Sequence, residues 1–239
     1  MNILILGYGK MGRAIEAIAI NRGHTITHKA TIEDQASIAD LDTTDVDVAI
    51  EFTQPDAAVD NIKFCIDRGI PIVSGTTGWL SEKPSIDQYC NDKNGAFFYA
   101  SNFSVGVNLF FKVNEFLAKL MNKYDQYAIG MEEIHHTEKK DAPSGTAITL
   151  AEGIINYVDR TKGWAGDRKE VGANEIPIDS LRIDKVPGTH TIKYSSSVDE
   201  IEIKHTAHSR EGFAMGAVLV SEWIIDKKGS LSMDDFLKI

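Results

Sequence analysis

The chain has 239 residues, 43% apolar and 25% charged, with 19 glycines and 6 prolines, a composition that excludes a disordered, collagen-like or coiled-coil protein. Asp and Glu outnumber Lys and Arg by 35 to 25, a net charge of −10, so there is no general basic footprint for nucleic acid or an anionic membrane, and neither is expected as a partner. Any anionic ligand must be gripped by a local cationic cluster.

The first hundred residues alternate short apolar runs with amphipathic stretches. Residues 2–6 read as a buried strand, 12–22 as a helix stopped by Gly23, 25–29 as a second strand and 46–53 as a third. A helix over 55–68 has Pro55 at its first position and Gly69 at its end. A strand at 70–73, a helix around 84–90 and a strand at 96–100 follow. This alternation predicts a parallel, doubly wound α/β sheet. Cys65 and Cys90 form no CxxC and read as reduced packing residues. With neither a signal peptide at the start nor an apolar run near the ~18 residues of a membrane span, a cytoplasmic location is expected.

The pattern then changes. A long helix over 106–124 leads to a strand at 127–133, a polar run at 134–141 and a second helix opening near Pro143-Ser144. Alternating segments at 181–186, 189–195 and 200–206 predict antiparallel or mixed strands. The strongly apolar helix 213–226 needs partners on more than one side and is assigned back to the first domain. The expected organisation is a domain of residues 1–104 and 207–239, with residues 105–206 inserted as a second domain.

Gly7-Tyr8-Gly9-Lys10-Met11-Gly12 is GxGxxG directly after an apolar strand and at the opening of a helix. The first glycine permits the tight turn, the second lets a diphosphate approach the backbone, and the third lets helix and strand pack closely. Arg13 stands where it can reach phosphate. The second strand of such a fold normally ends in an acid that holds the ribose hydroxyls of NAD. Here it reads Thr27-His28-Lys29-Ala30, with no acid before Glu33. A cation at Lys29 suits the 2′-phosphate of NADP, and the expectation leans to NADPH.

Glu132-Glu133-Ile134-His135-His136-Thr137-Glu138-Lys139-Lys140-Asp141-Ala142-Pro143-Ser144-Gly145-Thr146 carries the chemistry. Adjacent histidines at a strand exit point in opposite directions, so His135 and His136 are expected to play different roles. The N–H groups of Gly145 and Thr146, the Thr146 hydroxyl and the Lys139 ammonium form a cradle for a carboxylate or phosphate. No metal site is expected, since adjacent histidines rarely share a metal and no third ligand lies at a usual spacing. A Ser–His–Asp hydrolase on Ser144 is disfavoured because PSGT lacks the GxSxG elbow.

Six separated pieces, in order, resemble the 4-hydroxy-tetrahydrodipicolinate reductase (dihydrodipicolinate reductase) family. They are Gly7 to Arg13; Glu51-Phe52-Thr53-Gln54-Pro55; Gly75-Thr76-Thr77-Gly78; Ser101-Asn102-Phe103-Ser104-Val105-Gly106-Val107-Asn108; Glu133 through Ala147; and Arg182 with Gly188 and His190. The resemblance implies a Rossmann dinucleotide-binding domain completed by the C-terminal helix, plus a mixed-sheet α+β domain for substrate binding and oligomerisation, assembled as a homotetramer. It implies NADPH or NADH as cofactor and a small dicarboxylate as substrate. By the same resemblance His135 is the proton donor with Lys139 its cationic partner, and His136, Lys139, Ser144, Gly145 and Thr146 hold the substrate. The cofactor would meet Gly7, Tyr8, Gly9, Lys10, Met11, Gly12, Arg13, Lys29, Phe52, Gly75, Thr76, Thr77, Ser101, Asn102, Phe103 and Ser104. The chain departs from the family pattern in its short first loop, in Glu51 where aspartate is common, and in Arg182-Ile183-Asp184 where Arg-x-Gly is usual.

Overall fold

The structure is a computed structural model that describes residues 1–31, 38–166, 171–209 and 211–238, Ala39 by its backbone alone. Glu33 lies outside the described residues. In chain order the elements are β1 (Asn2–Leu6), α1 (Lys10–Asn21), β2 (Thr25–Ala30), β3 (Val48–Glu51), α2 (Pro55–Asp67), β4 (Ile72–Ser74), α3 (Lys83–Asp92) and β5 (Ala96–Tyr99). Then come α4 (Val105–Met121), β6 (Ala128–His135), α5 (Gly145–Ile155), β7 (Gly163–Ala165), β8 (Glu175–Arg182), β9 (Gly188–Ser195) and β10 (Glu200–Ala207). The chain closes with α6 (Glu211–Ile224), β11 (Gly229–Leu231) and α7 (Met233–Leu237). It forms two compact units, Met1–Val105 with Glu211–Ile239, and Gly106–Arg210.

The first unit is built on a six-stranded, all-parallel sheet in the order β11-β5-β4-β3-β1-β2. Strands covered on both faces read as unbroken apolar runs, and Ile3, Leu4, Ile5 and Leu6 are all buried. Their alternation separates two cores. Ile3, Ile5, Ile50, Val73 and Phe98 pack with Ile15 of α1 and with Ala214, Ala217, Val218 and Ile224 of α6. Leu4, Leu6, Ala49, Ile72 and Phe97 pack with Ile62 and Cys65 of α2 and with Ile86 and Cys90 of α3. Each Ile, Leu, Val or Phe side chain among these contributes about 1.5–3 kcal/mol on burial.

The apolar C-terminal helix therefore belongs to this first core, and it sits close. A Cβ at Gly216 would lie 1.8 Å from the carbonyl oxygen of Phe103. A further piece completes the sheet: β11 pairs in parallel with β5. It carries only Gly229-Ser230-Leu231, too short for an alternating pattern, and its place is set by backbone pairing at the sheet edge. The strand order reverses between β1 and β3, the point where open α/β sheets take their ligands.

The second unit holds a mixed sheet in the order β10-β9-β6-β8-β7. The pairs β10–β9 and β9–β6 are antiparallel, whereas β6–β8 and β8–β7 are parallel. One face carries Met131, Ile176, Ile178, Ile192 and Tyr194 against Ala147, Leu150, Ala151 and Ile154 of α5. The strand expected at 181–186 is corrected to Glu175–Arg182. The apolar residues that suggested it, Leu181 and Ile183, are 42% and 49% exposed, so their spacing does not mark a core face. The buried pair Ile176 and Ile178 flanks Pro177, which reads as a breaker but is tolerated beside the three-residue strand β7. Among the described residues no helix is long and apolar enough to cross a membrane.

Candidate active site

In the first unit the glycine loop joins β1 to α1. Gly7 adopts φ +93°, and a Cβ there would stand 2.0 Å from the Phe52 carbonyl oxygen, so only glycine fits. A Cβ on Gly12 would lie 2.3 Å from the Gly7 carbonyl oxygen, the close helix–strand approach expected of the third glycine. Gly9 is the N-cap of α1, makes no side-chain cap bond and has nothing within 4 Å of a Cβ position. The N-terminus of α1 therefore faces open space, with a positive dipole end and N–H groups for an anion. A cavity of about 280 Å³ opens here, lined by Gly7, Tyr8, Gly9, Ala30, Thr31, Phe52, Thr53 and Asn61 among others.

The remaining expected cofactor residues lie on this unit. Lys10 and Arg13 are exposed on α1, with Met11 half-buried beside them. Phe52 packs 5.5 Å from Phe103, ring to ring, and a Cβ on Gly75 would run into the Phe52 ring. Thr76 is buried and Thr77 exposed. Ser101 is exposed, while the Ser104 N–H donates to Asn102 Oδ1 at 2.9 Å at the start of α4. Lys29 is not a lone cation: its Nζ lies 3.0 Å from Glu16 Oε1.

Sequence reasoning gave no role to Glu51. It is fully buried, and its carboxylate accepts from Thr53 N at 2.9 Å, Ser74 Oγ at 2.5 Å, Thr76 Oγ1 at 2.7 Å and the Thr53 hydroxyl. One side chain thus ties the loop after β3 to the loop after β4.

In the second unit the chemistry gathers where the apolar face of the mixed sheet ends. Strand alternation carries Met131, Glu133 and His135 along one face of β6. The antiparallel register sets Glu133 opposite His190 of β9, and the parallel register sets His135 opposite Arg182 of β8. Glu133, His135 and His190 are all buried. Glu133 Oε2 lies 3.5 Å from His135 Nδ1 and 3.7 Å from His190 Nε2, and the two imidazoles meet edge to face at 5.1 Å. His136 follows the strand and lines a cavity of about 330 Å³ with Thr137, Glu138, Asp184, Lys185, Val186 and Pro187. The two histidines therefore part company, as strand geometry requires.

The Ser144 N–H donates to both Glu133 oxygens at 3.1 Å, and its Oγ sits 3.2 Å from His190 Nε2 while accepting from Ala147 N as the α5 cap. Ser144 is thus fully engaged. The N–H groups of Gly145 and Thr146 have no partner among the described residues. Arg182 straps the loop that carries Lys139: its Nη2 donates to the Asp141 carbonyl at 2.6 Å, its Nε to the Lys139 carbonyl at 3.3 Å, and its Nη2 reaches Glu133 Oε1 at 3.4 Å. The Lys139 ammonium pairs with Asp141 at 2.8 and 2.9 Å, so a ligand carboxylate would share it. A Cβ on Gly188 would come within 3.1 Å of His135 Nε2, so this glycine leaves that nitrogen approachable.

Electrostatics follow burial. Desolvation pushes His190 down to about 4, with His135 beside it adding to the effect. Burial also lowers His135, opposed by Glu133 and reinforced by Lys139 and Arg182. Burial works to raise Glu133, but hydrogen bonds from Ser144 and Ser180, with the His135 imidazole beside it, together hold the carboxyl below its usual range. A third metal-ligating side chain that the sequence spacing hides is present in space, since Glu133, His135 and His190 bring their ligand atoms within 4.8 Å of one another. Glu133 accepts from Ser144 N and faces the Arg182 guanidinium, and His190 Nε2 faces Ser144 Oγ, partners that suit a hydrogen-bonded cluster. Glu133, Arg182 and His190 are what residue-by-residue reading underrated; register across three strands assembles them.

Residues 1–103 match the family model described as dihydrodipicolinate reductase, N-terminus, and residues 106–237 match its C-terminus. A protein of Christiangramia forsetii named 4-hydroxy-tetrahydrodipicolinate reductase is 50% identical over 237 residues, covering 99% of this chain and 98% of its own. One of the same name from Archaeoglobus fulgidus is 35% identical, covering 96% of each. The solved structure of a dipicolinate-bound dihydrodipicolinate reductase from Paenisporosarcina sp. TG-14 shares the fold, with a TM-score of 0.79 at 20% identity over 99% of both chains. By sequence over its full length and by fold, the chain belongs to the dihydrodipicolinate reductase family.

Proposed function

We propose that the chain reduces 4-hydroxy-tetrahydrodipicolinate to tetrahydrodipicolinate, the 4-hydroxyl leaving as water, in lysine and diaminopimelate biosynthesis, with NADH or NADPH as cofactor. The observation that carries this reading is the 50% identity, across essentially the whole chain, to a relative of that name. The Paenisporosarcina protein's dipicolinate supports a small cyclic dicarboxylate as the substrate class.

The cofactor would lie on the glycine loop, its diphosphate against the α1 N-terminus with Lys10 and Arg13 nearby. Phe52, the loop from Gly75 to Thr77 and the segment from Ser101 to Ser104 would flank its nicotinamide end. The nicotinamide supplies a hydride when bound. The chain's own work is to hold the substrate and to deliver a proton. Gly145 and Thr146 N–H groups, the Thr146 hydroxyl, His136 and Lys139 take the two carboxylates, while Ser144 acts by capping α5 and holding Glu133. His135 gives its proton from Nε2, the nitrogen that faces Gly188, as carbanion character develops on the ring. Histidine suits that transfer near neutrality. Burial keeps His135 mainly neutral before substrate arrives, and a dicarboxylate beside it favours the imidazolium. Proton affinity therefore rises when there is something to protonate.

A homotetramer working in the cytoplasm is part of the same proposal. Leu109, Val113, Phe116 and Leu120 form an exposed apolar ridge on α4, with Phe116 64% exposed, which suits burial against another copy. Sedimentation equilibrium is expected to give four chains, and a monomer would remove that part.

The test is oxidation of NADH and NADPH, followed by absorbance, with substrate made in situ from pyruvate and aspartate semialdehyde by the preceding synthase. Synthase-dependent turnover is expected, and His135→Gln should lower kcat by about two orders of magnitude or more with a smaller change in KM. A protein that binds a nicotinamide cofactor yet shows no synthase-dependent turnover would overturn the substrate assignment.

A further inference from the structure

In dinucleotide-binding folds an acid at the end of the second strand accepts the hydroxyls of the adenosine ribose. Here β2 ends in Lys29-Ala30, and the parallel register with β1 places Lys29 opposite Ile5 and Ala30 opposite Leu6, beside the glycine loop. The cavity at that loop is lined by Tyr8, Ala30 and Thr31. Around Tyr8 the chain has gathered a polar group of its own. The Tyr8 hydroxyl donates to Glu16 Oε2, and Lys29 Nζ donates to Glu16 Oε1 at 3.0 Å. The Lys29 ammonium also stands 4.9 Å from the Tyr8 ring centre, with the Arg13 guanidinium 5.6 Å from it. Glu16 reaches this position from α1, one turn beyond Gly12.

We propose that Glu16, supplied by the first helix instead of the second strand, is the acid that accepts the adenosine-ribose hydroxyls, and that its pairing with Lys29 selects NADH over NADPH. The inference rests on the reading of this cavity as the dinucleotide site. An ionised carboxylate offers about four acceptor positions. Tyr8 takes one on one oxygen and Lys29 one on the other, leaving an acceptor position on each for a pair of vicinal hydroxyls. A ribose diol can therefore dock with the ion pair intact. A 2′-phosphate cannot: it carries about two negative charges and would have to strip Lys29 from Glu16. The unpaired carboxylate would then stand against the phosphate as a like charge. Lys29, which alone would favour the phosphate, is thus committed elsewhere. Hydrogen bonding from Tyr8 and then from Lys29 lowers Glu16 below its usual range, so the acceptor stays ionised at neutral pH.

The test is calorimetric titration of the full-length protein with NADH and NADPH, run beside the turnover assay on the same samples. The wild type is expected to bind NADH at least about tenfold more tightly than NADPH. Glu16→Gln, and Glu16→Ala as a second variant, should bring the ratio to about one or below, by weakening NADH and releasing Lys29 to phosphate. Lys29→Met should weaken NADPH further, because the unpaired Glu16 carboxylate then stands against the 2′-phosphate. A wild type that prefers NADPH, or a ratio unmoved by both Glu16 variants, overturns the proposal. Binding without turnover strikes the substrate assignment alone, since the ratio of affinities still reads Glu16. Binding of neither dinucleotide removes both.

Discussion

Glu51 shows how a single side chain can hold a binding surface without belonging to it. Its carboxylate is fully buried and receives one backbone N–H and three hydroxyls, from Thr53, Ser74 and Thr76. Thr53 lines the cavity at the glycine loop, and Thr76 lies in the loop proposed to flank the nicotinamide. Glu51→Gln puts an NH₂ donor in place of one acceptor oxygen, so the Ser74 hydroxyl, or the Thr53 and Thr76 hydroxyls if the amide turns, must give up a donated bond and accept instead. The expected cost is about 3 kcal/mol in urea denaturation, with the KM for the dinucleotide raised more than kcat is lowered. Glu51→Asp keeps the charge but retracts it by one methylene, and should fall between the Gln variant and the wild type. A Gln variant as stable as the wild type, with unchanged KM, would mean that the two loops hold their places without the acid.

At the scale of elements, the loop between β6 and α5 shows the same division between what holds and what acts. Arg182 of β8 donates to the carbonyls of Lys139 and Asp141 and touches Glu133, so one guanidinium fixes both the loop and the buried acid. Arg182→Met is expected to raise the Glu133 pKa, loosen residues 136–143 to hydrogen exchange and lower kcat by about tenfold or more. Exchange in that loop at the wild-type rate would remove the strap. The helix–strand alternation and the GxGxxG turn were legible in the chain because local periodicity and glycine geometry carry them. So was the opposite facing of His135 and His136, which follows from strand alternation alone. The Glu133–His135–His190 cluster was not, because it exists only once β6, β8 and β9 take their register. The edge strand β11 was hidden for a related reason: a three-residue partner leaves no pattern of its own. Lys29 was legible as a cation but not as half of an ion pair, since Glu16 lies thirteen residues away on another element.

For the whole molecule, the buried histidines set how stability depends on pH. His190 is 5% exposed and is pushed by burial to about 4, with Glu133 and His135 facing it from β6, Ser144 from the α5 cap and His205 from β10. Burial lowers His135 and His205 as well. A histidine whose folded pKa lies below its unfolded value binds fewer protons folded than unfolded. Stability is then fully present above pH ~6.5 and is lost as the pH falls toward the folded value. For His190 alone the loss approaches roughly 3 kcal/mol by pH 4.5. The depressed acids Glu133, Asp141 and Glu222 follow a lower window: their contribution is whole above the ordinary carboxylate pKa and is lost as the pH falls from there through their own lowered values. Surface charge works in the opposite direction, because protonation moves the net −10 toward zero and relieves self-repulsion. The sign of the response therefore tells buried from surface control. Urea denaturation at fixed protein concentration should show stability falling between pH 7 and 5. His190→Gln should be less stable at pH 7 yet show a shallower decline, because the group that must be charged on unfolding is gone. A stability that stays level or rises over that interval would mean that His190 takes up its proton inside the folded protein, and that the cluster is wetter than its burial implies.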